Sequence, residues 1–135
     1  MDLSDEERLR GMLSPAMQKQ ATDEKDKKIM SDVDILRTML VCQREANRQG
    51  FRGTKLDAEV MCSPFGFKLE DIRKDLPVQL WYGKKDVFVP PVQGEEIARR
   101  IGGKAVLRME DDTHTSISVN WKEEQIKEIL KAMSK

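Results

Sequence analysis

Much of what whole classes of protein depend on is scarce in this sequence. There are two cysteines in 135 residues, Cys42 and Cys62. They form neither a zinc-ligand spacing nor a disulfide framework. A reduced intracellular setting is therefore expected, with the cytoplasm as compartment and each thiol buried as a small apolar group. Surplus charge is absent, with 24 Lys+Arg against 24 Asp+Glu. That balance removes the long-range attraction on which nucleic-acid and anionic-membrane binding draw. No apolar run approaches the ~18–20 residues of a spanning helix. The acidic start, Met1-Asp2-Leu3-Ser4-Asp5-Glu6-Glu7, lacks the apolar stretch of a signal peptide. No cofactor is expected. A metal site is not expected either, because Glu110-Asp111-Asp112 beside the single histidine, His114, are sequence neighbours that seldom converge on one ion.

What remains is a length suited to one domain, 39% hydrophobic and 36% charged. In the first half, Ser4 and Glu7 form a capping box for a short helix over 4–13, striped by Leu9, Met12 and Leu13. Residues 14–28 are too polar to bury and read as a loop or a loosely held helix. Ser31 and Asp34 are candidate caps for a helix over 32–48, with Val33, Leu36, Met39 and Leu40 at helical spacing and Gly50 beyond its end. Gly53, Pro64 and Gly66 punctuate an irregular stretch carrying Phe51, Phe65 and Phe67.

The second half alternates. Residues 77–82 are a β-favouring run closed by Gly83, and 105–109 are a second strand. Between them, a helix over 92–101 shows Val92, Ile97, Ala98 and Ile101 on one side and stops at Gly102-Gly103. A last helix over 121–133 carries Ile126, Ile129, Leu130 and Met133 as a stripe, with Lys127, Lys131 and Lys135 suiting its end. Strand, helix, strand, helix predicts an α/β fold with a parallel sheet. Trp81, Tyr82 and Phe88 are expected to pack that sheet and its loop, and the methionines to fill cores.

Asp86 follows the first strand and His114 the second, 28 residues later. Ligands and catalytic groups gather at the carboxyl ends of such strands, and neighbouring strands lie about 4.8 Å apart. A carboxylate and an imidazole placed there can meet, the carboxylate fixing the tautomer of a general base. An aspartate in a turn and a histidine in a loop are also ordinary surface residues, so spacing alone leaves both readings open.

The run Val78-Gln79-Leu80-Trp81-Tyr82-Gly83-Lys84-Lys85-Asp86-Val87-Phe88-Val89-Pro90 resembles the penultimate core strand and acid-bearing turn of the α/β-hydrolases. Ile97 to Ile101 resembles their next helix, and Asp112-Thr113-His114 the loop bearing their histidine, with Thr113 where a small residue or glycine is usual. Residues 44–50 and 64–72 resemble cap helices and the return to the core. The resemblance implies a helical cap segment over 1–70 and a carboxy-terminal part of the hydrolase sheet over 71–135. It makes Asp86 the acid and His114 the base of a catalytic triad, acting on a small-molecule acyl compound, or on another small molecule if the nucleophile is an aspartate.

The family's Gly-x-Ser-x-Gly nucleophile elbow occurs nowhere in the 135 residues. Ser4, Ser14, Ser31 and Ser63 precede Asp86, but none has a glycine on each side. The expectation is therefore a chain that supplies acid and histidine and is inactive alone. Two other readings stand beside it. One is a non-catalytic interaction module that self-associates or pairs through an exposed sheet edge. The other is an unrelated small α/β domain in which Asp86 and His114 only form turns.

Overall fold

The computed structural model describes residues 3–103 and 105–134. Met1 and Asp2 of the acidic start, Lys104, and Lys135 of the last helix's basic end lie outside the described residues. The chain divides into two units, Met1–Gly66 and Phe67–Lys135.

The first unit is helical. Helix α1 (Asp5–Met12) starts at Ser4, whose hydroxyl accepts from the Glu7 amide while Glu7 reaches back to Ser4, as the capping box predicts. The polar stretch after it is more ordered than its composition suggests. Ser14 caps a single turn, α2 (Pro15–Gln18), and Asp23 caps α3 (Glu24–Ser31). The Gln18 amide donates to the Met12 and Met30 carbonyls and ties the stretch together, and α3 buries Ile29. The cap of α4 (Val33–Ala46) is Asp32, which accepts from the Asp34 and Ile35 amides; Ser31 belongs to the preceding helix. Leu9, Leu36 and Leu40 form the core where α1 meets α4, with Met12, Leu13, Met30 and Met39 packed against it.

The irregular stretch expected after Gly50 contains a further helix, α5 (Arg52–Met61). Its sequence from Lys55 to Met61 holds good helix formers, and Gly53 falls in the first turn, where its cost is small. This helix buries no residue, and Phe51, Leu56, Val60, Met61 and Phe65 are all exposed. Cys42 and Cys62 are exposed as well, against the expectation of burial; both sit on helix surfaces or ends that face water.

The second unit is α/β. After a 3-10 turn (Leu69–Asp71), strand β1 (Val78–Gly83) leads through α6 (Pro91–Ile101) to strand β2 (Ala105–Glu110), then α7 (His114–Asn120) and α8 (Lys122–Met133). The strands pair parallel, from Val78 beside Ala105 to Gly83 beside Glu110. Side chains alternate across the sheet. Tyr82 lies on the α6 side, where a Cβ on Gly94 would come within 2.6 Å of its ring. Trp81 lies on the other side, against Trp121 at 5.8 Å between ring centroids and under the Arg108 guanidinium. Gly102 and Gly103 end α6 with φ of +57° and +61°, a backbone region that favours glycine.

This sheet is thinly covered. Gly83 is the one buried residue among those of the two strands, and the described sheet has no third strand. Helix α8 forms as its period predicts, yet the stripe Ile126, Ile129, Leu130 and Met133 is 52–78% exposed. Phe88, expected to pack the loop, is exposed too. No described helix is long and apolar enough to cross a membrane.

This uneven burial sets the cost of substitution. Leu36→Ala empties a fully buried site and is expected to cost about 2–5 kcal/mol. Leu130→Gln touches an exposed face and is expected to cost less than about 0.5 kcal/mol. Urea unfolding of the two variants measures both values; equal losses contradict the burial described.

Candidate functional site

The site lies where the two strands end. Pairing continues past them into the loops: the Lys84 amide donates to the Glu110 carbonyl at 2.7 Å, and the Lys85 amide to the Asp112 carbonyl at 2.9 Å. The loops approach so closely at Gly83 that a Cβ there would collide with the Asp112 carbonyl. Glycine at this position is what lets the two backbones run together.

Asp86 stands at the end of this turn, its amide donating back to the Gly83 carbonyl at 3.1 Å. Its Oδ1 accepts from the Phe88 and Val89 amides at 2.9 and 2.8 Å, so the following backbone holds the carboxylate in one orientation. Its Oδ2 lies 2.9 Å from His114 Nδ1. The two residues singled out by spacing are thus in direct contact. The Asp86 side chain is 5% exposed and that of His114 52%.

His114 opens helix α7 rather than lying in an extended loop. Thr113 caps that helix: its hydroxyl accepts from the Ser116 amide at 3.1 Å, and the Ser116 hydroxyl accepts from the Thr113 amide at 2.8 Å. The imidazole also meets the Phe88 ring edge-on, with centroids 5.4 Å apart. Spacing alone gave no sign of this helix, because Thr-x-x-Ser is a weaker signature than Thr-x-x-Glu.

The charge state of Asp86 follows from its surroundings. Burial pushes its carboxyl up, but the Val89 amide, the His114 imidazole and the Phe88 amide outweigh burial and hold it below the ordinary aspartate value. At neutral pH it is a carboxylate and can only accept. The hydrogen at Nδ1 therefore belongs to His114, which leaves Nε2 of the neutral ring as the proton-accepting nitrogen. Among the described residues nothing hydrogen-bonds Nε2. A ring so oriented can take a proton from a group presented to it and return it to a leaving group.

A nucleophile is not among its partners. The hydroxyls of Ser4, Ser14, Ser31 and Ser63 cap or back-bond their own helices. Ser116 gives its hydroxyl hydrogen to Asp112. The acidic run diverges as well: Asp111 pairs with Lys85 at 3.3 Å, whereas Asp112 turns inward. Among the described residues no three metal-ligating side chains converge. Asp112 accepts from Ser116, Asn120 and Trp121, and the sequence carries no signal of its burial, since an acid in an acidic run looks like surface.

No protein-family model, curated protein or solved structure matches the chain.

The Asp86 contacts make a pH prediction with a definite sign. A carboxyl whose folded pKa lies below its unfolded value of ~3.9 leaves the native state with fewer bound protons in acid. Its stabilisation is complete above about pH 5 and fades as pH falls through the unfolded and then the folded value. Asp86→Asn should therefore be less stable than the parent at pH 6, with the difference shrinking below about pH 5. Urea unfolding across that range checks this; a gap independent of pH contradicts it.

Proposed function

We propose that this chain is the acid-and-histidine part of an α/β-hydrolase that acts on a small-molecule acyl compound. The observation that carries the reading is the 2.9 Å contact between Asp86 Oδ2 and His114 Nδ1 across the carboxyl ends of two parallel strands. Acid and base of an acyl-transfer triad need that juxtaposition. The strand–turn–acid pattern from Val78 to Pro90 supports the family, and in this reading residues 1–70 are the cap segment.

In this mechanism the nucleophile is a serine from polypeptide outside the 135 residues. His114 Nε2 removes its hydroxyl proton as the oxygen attacks the acyl carbonyl, then delivers that proton to the departing group. Water repeats the cycle: its oxygen attacks the acyl carbonyl as His114 takes its proton, and that proton passes to the serine oxygen as the acyl group leaves as the acid. Asp86 holds the Nδ1–H throughout and stabilises the imidazolium that forms. Catalysis therefore needs completion, and the isolated chain is inactive by itself.

A second reading is an interaction module without catalysis, pairing or self-associating through its sheet edge. The two-stranded sheet and the exposed stripe on α8 favour it, because parallel sheets are ordinarily covered on both faces.

Sequencing the transcript across the Met1 codon, then assaying the encoded protein on p-nitrophenyl acetate, separates the two. The hydrolase reading expects an in-frame Gly-x-Ser-x-Gly upstream and a kcat/KM that His114→Ala lowers at least ~10³-fold. The 135 residues alone should react equally with and without His114. A stop codon immediately upstream, or an extended protein indifferent to His114→Ala, contradicts the hydrolase and leaves the module.

A further inference from the structure

We infer that Asp112 is a positioning residue that sets the Asp86–His114 pair, bracing the turn of the acid with its backbone and the helix of the histidine with its carboxylate. It is 2% exposed, an environment in which a carboxylate is costly unless its oxygens are satisfied. Both oxygens accept from α7 and the residue after it. Oδ1 accepts from the Ser116 hydroxyl at 2.7 Å and the Asn120 amide at 3.1 Å, and Oδ2 from the Trp121 indole at 2.7 Å. These donors lie in the first turn of α7, in its last residue and just beyond its end. Side chains from near both ends of the helix that begins at His114 thus converge on one carboxylate.

Such a brace is needed. A seven-residue helix is too short to hold itself in water, and the direction of His114 follows the rotation of α7 about its axis. A small rotation would swing Nδ1 away from Asp86. The other half of the brace is the Asp112 carbonyl, which accepts from Lys85, the residue before Asp86, at 2.9 Å. One residue therefore links acid and base through covalent structure and four hydrogen bonds. Trp121 ties the brace to the sheet as well, through its ring contact with Trp81. The inference rests on the pair being the functional site, but its geometry does not depend on which compound the site transforms.

The single histidine makes the test direct. The ¹⁵N shifts of the His114 ring, in the intact chain at a pH where the imidazole is neutral, report which nitrogen carries the hydrogen. The parent should be mainly the Nδ1–H form. Asp112→Ala should make that form the minor one. Trp121→Phe removes a single donor and keeps a ring against Trp81, so it should lower the Nδ1–H share measurably while the near-ultraviolet circular dichroism of a folded chain persists. If Asp112→Ala does not fold, Trp121→Phe decides. Folded variants with the parent's tautomer ratio overturn the role of Asp112. A parent that lacks the Nδ1–H form overturns the pair itself.

Discussion

The parallel pairing of β1 with β2 is the constraint on which the rest of the site depends. Its register sets Gly83 beside Glu110, and two further amide–carbonyl bonds carry the pairing into the loops. A strand shifted by one residue would turn every side chain to the opposite face. It would also separate Lys85 from Asp112 and so part Asp86 from His114. The absence of a side chain at Gly83 is as necessary as any side chain in the site, because the Asp112 carbonyl occupies the space a Cβ would need.

Above that register the site is built almost wholly from local polar contacts. Two amides aim the Asp86 carboxylate, a reciprocal pair of hydroxyls starts the helix of His114, and a buried carboxylate accepts from side chains near both ends of that helix. Apolar burial is concentrated elsewhere, in the leucine cluster of the helical unit. The sheet and α8 leave apolar surface in water. A well-ordered polar site on a thinly covered sheet is the physical content of the hydrolase reading and of the interaction-module reading alike. The difference between them is whether a nucleophile is supplied to His114.

Period and punctuation made much of the α/β half legible. Alternating apolar residues closed by Gly83, and a helix stopped by Gly102-Gly103, fall within a residue or so of the observed elements. The spacing of Asp86 and His114 pointed to their contact because a crossover has a typical length. The helices between residues 15 and 31 and from 52 to 61 were hidden. Their order comes from caps such as Asp23, from the reach of Gln18 across to Met30, and from helix-forming residues with no apolar stripe to advertise them. Periodicity also could not say what α8 packs against: its stripe has the right spacing for a core and faces water. Asp112 was the least legible residue, because burial of an acid is decided by donors eight and nine positions away.

The most direct test of the Asp86–His114 pair is a double-mutant cycle. Urea unfolding at neutral pH of the parent, Asp86→Asn, His114→Gln and the double variant yields the coupling between the two side chains. A hydrogen bond from an imidazole to a held carboxylate, with the imidazole half exposed, predicts a coupling of about 1 kcal/mol. Losses that add to within about 0.3 kcal/mol would show that the two residues stand near each other without acting as a pair.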